Sequence, residues 1–362
     1  MKIFKTLISL CAVLGLLVVL TGCPNSAHKE DPENPSSSSQ GGWIEPQGMV
    51  YFTYFDTVSY IYSYAGDSEE DFAANCDGVS SILEEYHRLF DIYYEHSGVS
   101  NLKTLNQNAG GDPIQVDQKL IDFLLYAKEL YTLTNGEMNV MMGSVLSLWH
   151  DCREQASAGS ARIPDAQALE EAARHTDISL LEIDEVNGTV RITDPQARID
   201  VGALGKGYAT EKAAQYLQQK GAESYVLNIG GNIRIVGHKP DGAGWGTGIK
   251  NPADPTQFCL KITIADTSCV TSGDYERYFT VDGVKYHHVI DKDTLMPAAY
   301  FSAVTVITPN SGLADALTTA LFSMSYEDGL ALVSAIGNVE VLWIRADGTQ
   351  HYTPGFANLI ME

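Results

Sequence analysis

A glycine-rich segment, RIDVGALGKGY at positions 198–208, carries residue types that suit phosphate binding. The pattern predicts a strand that ends in a tight turn, with a helix beginning there. Glycines let backbone amides approach an anion closely, and a helix N-terminus favours negative charge. Lys206 would lie in or near the first helical turn, where the helix dipole disfavours a cation unless a phosphate is bound. The segment is not a Walker A loop, because its spacing differs, and a simple turn with a solvated lysine is the alternative.

A second candidate site is Asp315 with Thr319, in the segment ADALTTA at 314–320. Residues four apart share one face of a helix. Carboxylate and hydroxyl oxygens suit Mg²⁺, which often takes only one or two side-chain ligands and completes its shell with phosphate and water. An isolated Asp and Thr at this spacing more commonly cap a helix or face solvent, so the metal interpretation depends on the neighbouring motifs.

Two adjacent histidines, His287 and His288, follow a turn signal at Asp282-Gly283. Adjacent residues on a strand point to opposite faces, so the two histidines should have different roles. Asp274 and Asp291 flank the pair, and a histidine near carboxylates is a common acid–base arrangement. A purely structural role is the alternative.

In these motifs and their order, the chain resembles the ApbE-type FAD:protein FMN transferases. The similarity runs from about Tyr51 to Ile344 and includes the segments at 200–208, 271–275, 288–291 and 314–320. Members of that family are often lipoproteins, depend on Mg²⁺ and modify subunits of membrane redox complexes. The resemblance implies an α+β fold of layered antiparallel sheets and packed helices, in which two intimately associated subdomains border a cleft.

The resemblance also implies roles for individual residues. Asp200 and Lys206 would contact FAD, while the Ala203 carbonyl, Asp315 and Thr319 would bind Mg²⁺. Further positions implied to contact the flavin are Phe55, Tyr93, Met141, Met142, Gly143 and Val289. The chain departs from the family pattern where Phe55-Asp56-Thr57 replaces Met-Gly-Thr, where Asn139 replaces Asp, and where Asp293-Thr294-Leu295-Met296-Pro297 replaces Pro-x-Thr-Gly.

These assignments predict transfer of FMN from FAD to a Thr or Ser hydroxyl of an exported or membrane redox subunit, with release of AMP. His288 is the preferred catalytic base because it occupies the family's motif position; His287 is the alternative and Asp274 the reserve. Lys206 would neutralise developing charge. Two other functions are considered: an FAD pyrophosphatase, in which water replaces the hydroxyl, and a non-catalytic flavin-binding lipoprotein.

The elements that must position these residues follow from hydrophobic periodicity. Helices are predicted over 72–90, after a capping Asp117, over 208–220 and over 313–324. Asn187-Gly188 and Asp282-Gly283 predict two-residue hairpins, and further strands are predicted at 225–229, 259–264, 303–307 and 339–344. Helices and hairpins mixed without βαβ alternation indicate an α+β fold.

The N-terminus predicts an exported lipoprotein. Lys2 and Lys5 precede an uncharged apolar run over 7–20, which is too short to span a bilayer comfortably and fits a cleaved signal peptide at 1–22. Cys23 is the predicted lipidation site, residues 23–48 a flexible tether, and residues 49–362 the flavin transferase domain. We therefore expect a lipid anchor on the outer face of a bacterial cell membrane.

The net charge narrows the classes of ligand and partner that the chain can bind. The formal net charge of −23 disfavours nucleic acid and anionic lipid, so a polyanionic ligand such as FAD requires a local cluster of positive charge.

Four cysteines lie behind the predicted tether: Cys76, Cys152, Cys259 and Cys269. They could form two disulfides in three ways or stay as thiols. None has CxxC spacing, which disfavours a zinc site.

Overall fold

The computed structural model describes residues 46–361. The predicted signal peptide, Cys23 and nearly all of the predicted tether lie outside the described residues. Within 46–361, no helix has the length and apolar character needed to cross a membrane.

Helices and strands are mixed along the described chain. The strands are β1 (Gln47–Tyr51), β2 (Ser59–Ser63), β3 (Ile114–Gln115), β4 (Leu181–Asp184), β5 (Thr189–Ile192), β6 (Tyr225–Ile229), β7 (Asn232–Val236), β8 (Trp245–Asn251), β9 (Asp254–Ile264), β10 (Ser268–Gly273), β11 (Tyr278–Val281), β12 (Val284–His287), β13 (Ala303–Thr308), β14 (Glu340–Ile344) and β15 (Gln350–Tyr352). The helices are α1 (Glu69–Phe90), α2 (Leu102–Gln107), α3 (Gln118–Leu133), α4 (Gly143–Ser157), α5 (Ala166–Ala173), α6 (Gly205–Gln219), α7 (Ser311–Phe322), α8 (Tyr326–Ile336) and α9 (Pro354–Ala357), with a short 3₁₀ helix at Ile178–Leu180.

One large antiparallel sheet organises the fold. Its eight strands lie in the order β1-β2-β6-β7-β10-β13-β14-β15. Three smaller antiparallel sheets pair β3-β5-β4, β8-β9 and β11-β12. Helices packed on antiparallel sheets confirm the predicted α+β class.

The two faces of the large sheet are covered by different layers. Val341 and Trp343 of β14 point toward the side of α7 and α8, whereas Leu342 and Ile344 point toward the β8–β9 hairpin and α9. This alternation follows from the two-residue period of a strand. On the helical side, α1 packs on α6 and α6 packs on α7, so the start of α6 is held between buried elements.

Several local predictions are confirmed and some boundaries move. Asp117 caps α3 through its side chain, and the Asp282-Gly283 turn has φ angles of 49° and 81°, as a tight hairpin turn requires. Helix α6 begins at Gly205, three residues earlier than predicted, which places Lys206 in its first turn. Cys76, Cys152, Cys259 and Cys269 are free thiols.

Helix α4 was not predicted from the sequence, and it packs away from the large sheet. Its Trp149 ring stacks on Tyr286 at 5.9 Å and lies 6.3 Å from Phe279, both on the β11–β12 hairpin. The Trp149 Nε1–H also donates to the Leu295 carbonyl at 3.0 Å. Helix α4 and the hairpin therefore form one packed unit beside the start of α6.

Candidate active site

The segment before α6 is held by hydrogen bonds to its backbone. Asn106 bonds both backbone groups of Ile199, accepting at 2.7 Å and donating at 2.9 Å, and the Asp200 N–H donates to the Val140 carbonyl at 2.8 Å. The Asp200 carboxylate accepts from the Gly202 N–H at 2.8 Å. Asp200 therefore shapes the turn that leads into α6, and Lys206 follows with its Nζ 3.3 Å from the Gly202 carbonyl.

Helices α6 and α7 meet at a contact that requires glycine. The Gly207 N–H donates to Asp315 Oδ2 at 2.8 Å, and Asn232 Nδ2 donates to the same oxygen at 3.2 Å. A Cβ atom at position 207 would lie 2.4 Å from both the Asp315 Cβ and the Ser311 carbonyl. The second glycine of the GKG motif thus lets the backbone of α6 reach the Asp315 carboxylate.

Asp315 is a buried carboxylate, and only one of its two oxygens accepts hydrogen bonds within the described residues. It is 5% exposed; burial raises its pKa, and the nearby positive charge of Lys206 opposes that rise. Both described hydrogen bonds go to Oδ2, and within residues 46–361 Oδ1 accepts none. Thr319 lies one turn further along α7 and is half-buried, whereas Thr318 is engaged with the Asp315 carbonyl at 2.7 Å.

The residues proposed to bind Mg²⁺ include a single carboxylate. In the part of the chain that the structure describes, no group of three or more His, Cys, Asp or Glu side chains forms a metal site. Ala203 lies in the turn before α6 and is half-buried. One carboxylate, one hydroxyl and one carbonyl fit an ion that shares its shell with phosphate and water.

The two histidines have different surroundings. His287 is buried, with Nε2 2.9 Å from the Ala298 carbonyl and Nδ1 accepting from the Val289 N–H at 3.3 Å. Both of its nitrogens are occupied by backbone, so its contacts do not support a role as base. His288 is half-buried and its Nδ1 lies 3.2 Å from the Arg277 carbonyl.

The protonation of His288 follows from its neighbours. A carbonyl can only accept, so Nδ1 carries the proton and Nε2 keeps its lone pair. Burial, followed by the positive charge of Arg277 and then by His287, Lys206 and Arg153, lowers the pKa of His288 to about 3. His288 is therefore neutral at neutral pH.

Two of these cations, Arg153 and Arg277, were missed by the sequence analysis. Arg153 lies on α4, and Arg277 immediately precedes β11. Near them, the Tyr93 hydroxyl lies 3.1 Å from His150 Nδ1. The available signal was the spacing of His150 and Arg153 on one face of a helix, but it is visible only once α4 is recognised.

Asp274 and Asp291 serve mainly to hold structure. Asp274 accepts a hydrogen bond from the Ser302 hydroxyl at 3.1 Å. It also forms an ion pair with Lys285 at 2.9 Å, but the angles of that contact are not those of a hydrogen bond. Asp291 caps a turn by accepting from the Asp293 N–H at 2.8 Å and the Thr294 N–H at 2.9 Å. The prediction of a catalytic role for Asp274 stays a prediction.

The remaining predicted flavin contacts are spread over several elements. The Met141 side chain is fully buried and Met142 nearly so. The Gly143 N–H donates to the Arg198 carbonyl at 3.1 Å, where a Cβ would lie only 2.6 Å from that oxygen. These three positions fix α4 to the segment before α6, and their contact with a flavin stays a prediction.

Phe55, Tyr93 and Val289 also have defined surroundings. Phe55 adopts a left-handed conformation with φ 52°, and its N–H donates to His87 Nδ1 at 3.3 Å. Val289 is buried and its carbonyl accepts from Ala298 at 3.0 Å, while Tyr93 is half-exposed. The structure thus brings Lys206, Asp315 and His288 into one electrostatic cluster, with Tyr93 and Asp200 beside it.

The chain is similar to known proteins over most of its length. The model of the ApbE family matches residues 55–343. An FAD:protein FMN transferase of Treponema pallidum is 32% identical over 276 residues, covering 72% of this chain and 75% of the relative. One from Vibrio cholerae is 32% identical over 278 residues, covering 76% of this chain and 80% of the relative.

Solved structures show the same fold. The ApbE protein of Thermotoga maritima superposes with a TM-score of 0.77 at 27% identity, covering 88% of this chain and 100% of that one. The flavin transferase ApbE from Vibrio cholerae superposes with a TM-score of 0.72 at 26% identity, covering 87% and 99%.

Proposed function

The chain belongs to the ApbE family and is an FAD:protein FMN transferase, and we propose that it uses Mg²⁺ to transfer FMN from FAD to a Thr or Ser hydroxyl of an exported or membrane redox subunit, releasing AMP. The observation that carries the finer proposal is the buried Asp315 carboxylate of α7, which accepts from Gly207 in the first turn of α6 and is acted on by the charge of Lys206. These groups suit a substrate that brings both phosphate and a metal ion.

The surroundings of Asp315 support the metal assignment. A buried carboxylate with a raised pKa is stabilised as an anion by a nearby cation, and its Oδ1 accepts no hydrogen bond within the described residues. Asp315, Thr319 and the Ala203 carbonyl would hold the ion. When bound, Mg²⁺ would neutralise charge on the pyrophosphate and polarise the reacting phosphorus.

The chain's own cations would bind and orient the pyrophosphate. Lys206 lies in the first turn of α6, where the helix N-terminus also favours an anion. Arg277 and Lys206 both act electrostatically on Asp315 and on His288. In phosphoryl chemistry, positioning and charge neutralisation supply most of the acceleration, so this cluster is the centre of the proposed site.

His288 would accept the proton of the acceptor hydroxyl at Nε2. The hydroxyl oxygen forms a bond to the FMN-side phosphorus, the bond from that phosphorus to the bridging oxygen breaks, and AMP leaves with the electron pair. A histidine with a pKa of about 3 is a weak base. Bound phosphates would offset the charges of Arg277, Lys206 and Arg153 and so raise the pKa of His288 when substrate is present.

We further propose that the chain is lipidated at Cys23 and anchored to the outer face of the cell membrane. The support is the sequence of a short apolar run followed by Gly22-Cys23. A Cys23→Ser variant should move from the membrane fraction to the soluble fraction after cell lysis. If it stays in the membrane fraction like the wild type, the anchor lies elsewhere.

The activity test uses the full-length chain in detergent with FAD, Mg²⁺ and a candidate exported redox subunit. Intact mass analysis should show the acceptor gaining one FMN, with AMP appearing in parallel. EDTA, omission of acceptor and Asp315→Asn serve as controls. AMP without acceptor labelling would indicate a pyrophosphatase, and bound but intact FAD in every condition would indicate a flavin-binding protein.

A further inference from the structure

Arg153 is positioned by the packing of α4 on the β11–β12 hairpin. Trp149, one helical turn before it, stacks on Tyr286 at 5.9 Å and is fixed by its hydrogen bond to the Leu295 carbonyl. Residues four apart share a helix face, so Arg153 lies on the side of α4 that meets the hairpin. Arg277 immediately precedes β11 of that same hairpin.

Helix α4, which carries Arg153, packs on β11, and Arg277 immediately precedes that strand. Arg174, Arg191 and Arg234 form ion pairs with carboxylates, but within residues 46–361 Arg153 and Arg277 form none. Arg153 is half-buried, and burial followed by the charge of Arg277 lowers its pKa. Two positive charges on packed elements would be stabilised by an anion that binds both.

The residues beside Arg153 connect it to the proposed FAD site. His150 is one turn away, and its Nδ1 lies 3.1 Å from the Tyr93 hydroxyl. Burial lowers the pKa of His150, so this ring adds no positive charge at neutral pH. Asp200 and Glu154 are the acidic groups that act on this cluster, and neither pairs directly with Arg153 in the described residues.

We propose that Arg153 and Arg277 form an anion subsite that binds a phosphate of the dinucleotide substrate, and that Arg153 is a substrate-positioning residue supplied by α4. The subsite rests on the proposed function, because it assumes FAD as the ligand. It lies outside the motifs that define the resemblance. Removing one charge-assisted contact should weaken phosphate binding about 10- to 100-fold.

The test compares Arg153→Gln with Arg174→Gln in the full-length chain. Arg174 is an exposed arginine at the end of α5 that pairs with Glu171 at 3.1 Å, so this variant removes the same charge from an arginine that has its own acidic partner. Flavin fluorescence titration gives Kd for FAD and riboflavin, and inorganic pyrophosphate is measured by competition against FAD. Arg153→Gln should weaken FAD and pyrophosphate about 10- to 100-fold and leave riboflavin unchanged, while Arg174→Gln matches the wild type.

Two results would overturn the subsite. One is a Kd for FAD and for pyrophosphate in Arg153→Gln that equals the wild-type value. The other is an equal loss for riboflavin, which carries no phosphate, because that result indicates damage to the pocket. Arg153→Lys should recover part of the affinity, since it restores charge without the two-pronged geometry. If the wild type binds FAD but labels no acceptor, the proposed function is wrong. The comparison of Kd values for FAD, pyrophosphate and riboflavin still tests the subsite in that case.

Discussion

Two walls of the candidate site are built in different ways. The motif wall consists of Lys206, Gly207, Asn232, Asp315 and Thr319, and its central contact is the hydrogen bond from the Gly207 backbone to Asp315. The α4 wall consists of Tyr93, Trp149, His150, Arg153 and Arg277, and it is assembled from side chains above an apolar cluster. Close backbone approach restricts residue type, so it produces a recognisable motif, whereas a cluster of charges can be built by many sequences.

The two walls should also contribute differently to catalysis and to binding. The motif wall holds the groups proposed to bind Mg²⁺, so changes there should act mainly on kcat. The α4 wall supplies positive charge for phosphate, so changes there should act mainly on the affinity for FAD. A motif-wall variant that changed only the affinity for FAD, or an α4-wall variant that changed only kcat, would contradict this division.

The largest effect is expected for Asp315→Asn. The amide keeps the shape and can still accept from the Gly207 N–H, but it removes the carboxylate proposed for Mg²⁺. Loss of metal assistance worth several kcal/mol predicts a fall in kcat of about 10³-fold. Acceptor labelling under saturating FAD measures it, with the exposed turn residue Asp347→Asn as the matched control.

The unfolding midpoint of Asp315→Asn separates catalysis from folding. Since burial raises the pKa of Asp315, the neutral amide should not lower stability in the absence of metal. An Asp315→Asn protein that is folded and still transfers FMN at the wild-type rate would remove this residue from the metal site.

The next effect is expected for His288→Ala. Loss of a positioned base costs about 10²-fold or more in rate, whereas His287→Ala should act through stability because both ring nitrogens bind backbone. Transfer rates and unfolding midpoints of both variants distinguish the roles. If His287→Ala lost rate while keeping its midpoint, the assignment would have to be exchanged.

The pH dependence of stability follows from the same histidine. Its folded pKa is about 3 and the ordinary value is about 6.5, so between these values the unfolded chain binds a proton that the folded chain does not. The free energy of unfolding should therefore fall as pH drops below about 6.5. The free energy of unfolding should depend less steeply on pH in His288→Ala than in the wild type. The pH profile of kcat/KM, which reports the free enzyme, should show no inflection near pH 6.5 from His288.

The sequence predicted the motif wall better than the α4 wall, and the reason is physical. The strand at 225–229 and the capping Asp117 follow from local periodicity and hydrogen bonding. Lys206 and Asp315 were found because they sit in glycine- and alanine-rich segments whose close packing restricts composition. Helix α4 follows Met142 without a side-chain cap, so its start has no local signal. Arg153 and Arg277 are far apart in sequence and lie on elements that only the packing of α4 on β11 brings together.

A smaller effect, on stability, tests the motif wall. Gly207→Ala places a Cβ 2.4 Å from the Asp315 Cβ and the Ser311 carbonyl, so α6 and α7 must move apart. Overpacking of this kind costs about 1–3 kcal/mol, which denaturant unfolding detects. The control is Gly246→Ala on β8, where the nearest atom is Met361 Sδ at 3.6 Å and little change is expected. Equal stability of the two variants would show that the helices can adjust without cost.

The smallest effects concern two positions where the chain departs from the family pattern. Asp56 stands in place of the usual glycine and has φ 52°, and Leu295, in the departing segment at 293–297, has φ 59°. Left-handed conformations cost a non-glycine residue about 1–2 kcal/mol, and a glycine also gains entropy when unfolded, so Asp56→Gly should stabilise by less than about 1 kcal/mol.

Leu295→Gly should behave differently, because Leu295 belongs to the α4 wall's apolar cluster. Relief of backbone strain is offset by loss of a half-buried leucine that packs beside α4, so the net change should be neutral or destabilising by about 1 kcal/mol. The bond from Trp149 uses the Leu295 carbonyl and survives the substitution. Denaturant midpoints compare the two variants, and FAD affinity should be unchanged in both. A Leu295→Gly protein that is stabilised as much as Asp56→Gly would show that this leucine does not help hold α4, and the packing argument for Arg153 would then rest on Trp149 alone.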